Sequence, residues 1–267
     1  MNAVQKQMLA EPKTGKYKVL TFLIVALAVL WSSSTLEFNL AGTGGRMIAR
    51  NMFAGILAPD TDILFDWQHG VPFLLMETLA IAFVGTLVGS ILALPLAFLS
   101  SKNVVGRFIA FLTNLFIMAV RTIPVFVYGL MFIRVTGPGP FAGLLTMAFA
   151  SVGMVSKLFA ETIEELDSGI IESLDAAGCN GFEKIRYGIV PQLSSDFLST
   201  VIYRFDMNIR DVAVLGLVGA GGIGAPLIFS MNSHRWNEAG AILIGLIILV
   251  FIIEWISTKI RHKLTRG

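Results

Sequence analysis

Six apolar runs, each long enough to reach across a lipid bilayer, leave this chain few ways to fold. They lie at residues 19–36, 73–99, 108–133, 141–160, 193–218 and 239–260. A helix rises about 1.5 Å per residue, so roughly 17 to 25 apolar residues cover the hydrocarbon layer. Lipid offers no partner to a bare backbone N–H or C=O, and such runs therefore become helices that satisfy their own hydrogen bonds. The expected fold is all-α and integral to the membrane, with about six transmembrane helices. Composition agrees, since only 14% of residues are charged and 55% are hydrophobic, with mean hydropathy +0.76.

The first run follows Lys13, Lys16 and Lys18 and ends near Ser32 to Ser34, a pattern that a secretory signal would share. Its apolar stretch continues through Leu36, which favours an uncleaved anchor. An even number of spans puts both termini on one side. The basic flanks "KTGKYK" and "KIRHKLTRG", with Lys102 and Arg107, make that side the cytoplasm. The expected organisation is a cytoplasmic tail over 1–18 and a single transmembrane domain over 19–267. Within it stand an anchor span (19–36), an outer loop (37–72) carrying Asp60, Asp62 and Asp66, a core (73–260) and a basic tail (261–267). "GPGP" at 137–140 reads as a tight outer turn. A net charge of +2 gives no basis for nucleic acid binding, and the lone Cys179 excludes an internal disulfide and a Cys/His metal framework.

The longest inner loop, 161–190, is also the most charged. Ile163, Leu166, Ile170 and Leu174 recur at helical spacing while Glu164, Glu165, Asp167 and Asp175 point largely elsewhere, so an amphipathic helix is expected. Gly178, Asn180 and Gly181 supply a stop, Phe182, Ile185 and Ile189 begin a second short run, and Pro191 suits the first turn of the next helix. Such a bent pair serves either as a docking element for a cytoplasmic partner or as a plain surface loop. These residues alone leave both readings open.

Ionisable side chains within spans are costly and face a cavity, a neighbouring helix or each other. In the fifth run Arg204 and Asp211 are seven apart, and Asp206 and Arg210 are four apart with the acid first; each pair lies along its own stripe, the stripes more than a quarter turn apart, with Asn208 near the first and Tyr203 near the second. Two self-neutralising pairs holding helices together are one reading. The other is a stripe lining a polar path. Arg121 has no carboxylate within a helical turn, and Pro124 interrupts its helix ladder, so it must find partners elsewhere. Phe126, Met131, Phe149 and Met154 read as packing or lipid-facing residues, and His69 and His234 as surface residues of outer segments.

"GAGGIG" at 219–224, with Glu238 downstream, matches the dinucleotide fingerprint in letters. The fingerprint requires a strand before it and a helix after it in a soluble βαβ unit, which six membrane spans do not provide. Gly221 and Gly222 are expected instead to let the chain turn, or two helices approach, at the outer end of the fifth span. No Walker lysine accompanies these glycines, and neither H-E-x-x-H nor G-x-S-x-G occurs, so the chain is not expected to be an enzyme.

From Glu172 to Pro191 the inner loop resembles the E-A-A-x3-G-x9-I-x-L-P signature of binding-protein-dependent ABC importer permeases. Glu172 takes the first position, Gly178 the glycine and Val190-Pro191 the final pair, while Ser173 and Leu174 stand for the two alanines and Gly188 for the isoleucine. "RTIPVFVYGLMFIR", "GPGPFAG", "KLFAETIEELD", "AAGCNGFEKIRYGIVPQ" and "NIRDVAVLGLVGAGGIG" look like the phosphonate-transport permease family. The resemblance implies a type I ABC importer permease core in a bacterial inner membrane. It implies a homodimer, two cytoplasmic ATPase subunits holding ATP and magnesium, and an extracytoplasmic binding protein, with no cofactor on this chain itself. Glu172, Ser173, Leu174, Asp175, Ala176, Ala177 and Gly178, with Pro191, would then meet the ATPase. Arg121, Pro124, Arg204, Asp206, Arg210, Asp211, Gly221 and Gly222 are candidates for the path or gate. The cargo implied is phosphonate or a related phosphorus oxyanion; phosphite, phosphate and methionine are alternatives, and an intramembrane enzyme or a passive channel are alternatives of another class.

Overall fold

The computed structural model describes residues 15–35 and 43–266. Lys13, Leu36 and Glu37, which entered the reading of the first span and the outer loop, lie outside them. The chain divides into two compact units, Met1–Ala49 and Arg50–Gly267. The first contains α1 (Gly15–Thr35), a 21-residue apolar helix, and the start of α2 (Thr43–Leu57), which ends in the second.

Every regular element among the described residues is helical. In the second unit α3 (Thr61–Phe65) is capped by Asp60, whose carboxylate accepts from the backbone N–H groups of Asp62 and Ile63. The stretch expected as an outer loop is thus partly helical. It is followed by α4 (Val71–Ser100), α5 (Arg107–Thr122), α6 (Val125–Thr136) and α7 (Pro140–Glu164). After the inner loop come α10 (Val190–Gly216), α11 (Gly224–Asn232) and α12 (Trp236–Arg266), with α8 (Ser168–Ala176) and α9 (Gly181–Lys184) inside the loop.

By length and apolarity α1, α4, α7 and α12 can cross a membrane, and the bent pair α5–α6 makes a fifth. The run expected at 193–218 forms α10, whose 27 residues are long enough, but Asp196, Arg204, Asp206, Arg210 and Asp211 leave it too polar to rank with the others. Its polar residues are tolerated because the helix packs against α4, α7 and α12 instead of standing alone in lipid.

The α4–α7 seam organises the bundle. Gly85, Gly89, Ala93 and Ala97 repeat every fourth residue along one stripe of α4, all buried, and lie on Met147, Ala148, Ser151 and Ser156 of α7. Small residues at that spacing let two backbones approach closely, which is how helices associate where lipid removes the hydrophobic drive. A Cβ at Gly89 would meet the Ala148 carbonyl and the Ser151 Cβ. Above this seam Ile81, Met147, Ile209, Val212 and Leu215 form one apolar cluster, and Val155, Phe159, Ile163, Ile189 and Phe197 form another towards the inner loop. The opposite faces of α4, α5 and α12 expose Phe83, Ile91, Phe111, Phe116, Ile247 and Phe251, the surface a bilayer would cover.

Candidate functional site

The expected interruption at Pro124 is a sharp corner, with α5 and α6 meeting at 83°. Proline has no N–H to give to the carbonyl four residues back, which is that of Val120. The Tyr128 hydroxyl donates to the Val120 oxygen at 2.9 Å instead, from a ring that is buried and stacked edge-on against Phe149. The Val120 carbonyl is thereby paired at the corner. Arg121 stands at its apex, exposed, with no ion pair or hydrogen bond among the described residues, and its stem passes over Gly153 of α7, where any Cβ would touch it.

Deeper in the bundle, α10 contributes a polar layer. Arg204 is 4% exposed; its Nε donates to Ser151 Oγ at 3.2 Å, its Nη1 to Met154 Sδ at 3.1 Å, and its Nη2 lies 3.6 Å from Asp211 Oδ2. The Asn208 amide donates to Thr86 Oγ1 at 2.7 Å and to the same Ser151 at 2.8 Å, which ties α4, α7 and α10 through one residue triplet. Its Oδ1 has no hydrogen-bond partner among the described residues. On the other stripe Arg210 Nη2 bridges Asp206 at 3.1 Å and Glu254 of α12 at 3.3 Å. Both couples in the fifth span are therefore paired, at two levels and on two faces of one helix. A cleft of about 190 Å³ joins Arg121 to Arg204, passing Tyr128, Ala150 and Met154.

Several of these residues carry no motif. Met154, assigned only to packing, is an acceptor for Arg204 and lines that cleft. Glu254 is the partner of Arg210, and Thr86 and Ser151 hold Asn208. A lone carboxylate in an otherwise apolar last span was the available signal for Glu254. Hydroxyls in spans that mostly bond their own backbone give none for Thr86 and Ser151.

The inner loop departs from a single amphipathic helix. α7 continues through Glu164, so Ile163 belongs to it, and the chain restarts at α8 with Asp167 as cap, its carboxylate accepting from Gly169 N at 2.9 Å. Gly178 takes φ +81°, and the residues after it form a capping box in which Asn180 and Glu183 bond each other's backbone. A π-turn over Ile185–Ile189 leads into α10, with Pro191 in the first turn. Ile189 is buried, whereas Phe182, expected on the same stripe, is 70% exposed and Tyr187 62%. Glu172, Ser173, Asp175, Ala176, Ala177 and Gly178 are exposed, and Asp175 pairs with Lys184. Leu174 turns inward, and its Cδ1 occupies the place a Cβ on Gly188 would need. Two of the departures from the signature, Leu174 and Gly188, thus meet each other.

At the opposite end, Gly221 and Gly222 adopt φ +81° and +73°, and the turn they build rests on the 137–140 turn: Gly139 N donates to Gly219 O at 2.8 Å, and a Cβ on Gly221 would strike Pro140. Thr78 Oγ1 accepts from Ile223 N at 2.9 Å. The glycines serve backbone turning, with no strand before them. Glu238 pairs with Arg235 at 3.2 Å, and His69 and His234 are exposed.

Residues 85–265 match the model of the family described as binding-protein-dependent transport system inner membrane component. HtxC of Stutzerimonas stutzeri, a permease provisionally named for phosphite transport, is 32% identical over 237 residues, covering 88% of this chain and 82% of that one. The phosphite transport system permease protein PtxC of the same organism is 33% identical over 188 residues, 70% of this chain and 68% of its own. The phosphate-import permease protein PhnE of Mycolicibacterium smegmatis is 33% identical over 189 residues, 70% of this chain and 36% of its own. Among solved structures, an inward-facing MetNI methionine ABC transporter chain aligns with TM-score 0.64 at 22% identity, covering 73% of this chain and 96% of that one, and so shares the fold. The chain belongs to the family of binding-protein-dependent inner membrane transport components: it is a multi-pass permease subunit of an ABC importer, not an enzyme, and its ATPase is a separate subunit.

Proposed function

We propose that this permease imports phosphite, phosphonate or a related phosphorus oxyanion by ATP-driven alternating access. The observation that carries the substrate class is its identity of 32–33% to permeases named for phosphite and phosphate transport. Arginines at membrane depth support it, since an anion needs cationic posts where water is scarce. Two copies of the chain form the path as a homodimer, an extracytoplasmic binding protein delivers the oxyanion, and both termini face the cytoplasm. Two cytoplasmic ATPase subunits, which hold ATP and magnesium, receive the inner loop. Glu172 to Gly178 present an exposed helix to them, flanked by the solvent-facing rings of Phe182 and Tyr187, while Pro191 anchors the loop to α10. Arg121 and Pro124 form the corner of the path. The pairs Arg204–Asp211 and Asp206–Arg210 hold its polar layer, and Gly221 and Gly222 shape the outer gate.

Uptake of labelled phosphite and methylphosphonate by cells carrying this chain with its own ATPase and binding protein tests the reading. Uptake that requires ATP, and that disappears when Glu172–Gly178 is deleted, is the expected result. Methionine uptake with neither phosphorus oxyanion carried, or transport persisting without the ATPase, would overturn it.

A further inference from the structure

Arg121 lines two clefts. One joins it to Arg204, as described. The second, about 230 Å³, lies one turn closer to the inner loop and is lined by Asn114, Ile117, Met118, Thr122 and Lys157 together with Arg121. Of the charged residues on these walls, Arg204 and Lys157 each have a carboxylate at hand: Asp211 at 3.6 Å and Glu161 at 3.1 Å. Arg121 has none among the described residues, and it alone belongs to both walls. Lys157 and Ser151, which holds Arg204, are six residues apart on α7 and therefore about 9 Å apart along its axis. Gly153, over which the Arg121 stem passes, sits between them. We propose that Arg121 hands a tetrahedral oxyanion from a post shared with Arg204 to a post shared with Lys157, making Lys157 the cation of a second binding post on the loop side of the corner.

The polar groups of the second cleft add a preference. Both N–H groups of the Asn114 amide are engaged, by the Ser100 carbonyl at 2.8 Å and the Ala110 carbonyl at 2.9 Å. The Thr122 hydroxyl donates to the Met118 carbonyl at 2.8 Å. Both side chains have only acceptor oxygens left to offer a ligand. Two cations with two acceptors suit an oxyanion that still carries a proton, such as hydrogen phosphite or a hydrogen phosphonate, better than a fully ionised one such as sulfate. Each cation neighbours a carboxylate or a second cleft, so no post holds the anion against release.

This inference rests on the proposed oxyanion cargo, and the experiment separates the two. The complete transporter, with its ATPase and binding protein, is reconstituted in liposomes, and phosphite or methylphosphonate transported per ATP hydrolysed is measured for the unaltered chain, Lys157→Gln and Lys157→Arg. Loss of one charge-assisted hydrogen bond to the anion lowers that ratio about tenfold or more in Lys157→Gln. Lys157→Arg, which keeps the charge and the donors, recovers it to within roughly twofold. A purely structural Lys157 would change assembly and ATP turnover together, leaving the ratio in place. If the unaltered chain carries neither phosphorus oxyanion, the cargo reading and the handover fall together. If it carries them and Lys157→Gln keeps the ratio, or Lys157→Arg gives no recovery, the handover alone is overturned.

Discussion

The meeting of Leu174 and Gly188 makes a quantitative prediction. Restoring the signature residue by Gly188→Ile puts side-chain carbons where Leu174 Cδ1 now sits, in a buried position of the π-turn. Overpacking of this kind costs about 1–3 kcal/mol. Leu174→Ala alone removes a half-buried side chain, at about half of the 2–5 kcal/mol typical of full burial, so about 1–2 kcal/mol. If the sites were independent, the double variant would lose the sum, about 2–5 kcal/mol. If the two side chains share one space, the isoleucine fills the volume that the leucine leaves, and the loss falls to about 1 kcal/mol or less. Native-state hydrogen exchange of the amides across 174–190 reads local opening directly, with about tenfold faster exchange for each 1.4 kcal/mol. Each single variant should then exchange roughly ten- to a hundredfold faster in this loop, and the double variant within about tenfold of the unaltered chain. Additivity to within about 0.5 kcal/mol would refute the claim that these two departures compensate each other.

Two further perturbations follow from the same geometry. Tyr128→Phe leaves the Val120 carbonyl without its donor and should destabilise the detergent-solubilised permease by about 1–3 kcal/mol in denaturant titration; adding Pro124→Ala returns a backbone N–H, and failure to regain most of the loss would show that the hydroxyl is not what closes the corner. Gly221→Ala should lower both the thermal midpoint and uptake more than Gly222→Ala does. Both positions are left-handed, at about 1–2 kcal/mol for an alanine, but only the Gly221 Cβ would strike backbone, that of Pro140 at 2.7 Å, whereas Gly222 faces movable side-chain atoms of Thr78 and Val212 at 3.0–3.1 Å; equal effects would refute this.

What could be read from the letters was what depends on local spacing. Apolar runs set the helices, Pro124 set the break, and seven- and four-residue intervals placed Arg204 beside Asp211 and Asp206 beside Arg210. What could not be read depends on which helix faces which. The sequence places Asn208 near the first pair, but its partners Thr86 and Ser151 come from α4 and α7 and become visible only when those helices pack. Lys157 lies near the end of an apolar run and carries no motif, because its place in a cleft depends on the corner at Pro124, in another helix. The outer segment hid α2 and α3, and the five residues of α3 are too few to show a helical period. In the inner loop the helical repeat runs smoothly through Asp167, although one helix ends at Glu164 and Asp167 caps the next.

The α4–α7 seam also changes what selection can act on in this protein. In an ordinary core the largest side chains are the least replaceable, since their loss opens cavities. Along this stripe the order is inverted: Gly85, Gly89, Ala93 and Ala97 contribute almost nothing by their own atoms, yet any growth there separates two backbones and everything attached to them, including the Ser151 that holds both Arg204 and Asn208. Size, more than chemical character, is what heredity must preserve at these positions. The polar layer that gives the helix bundle its use is thus maintained at a distance by four residues that never touch a charge.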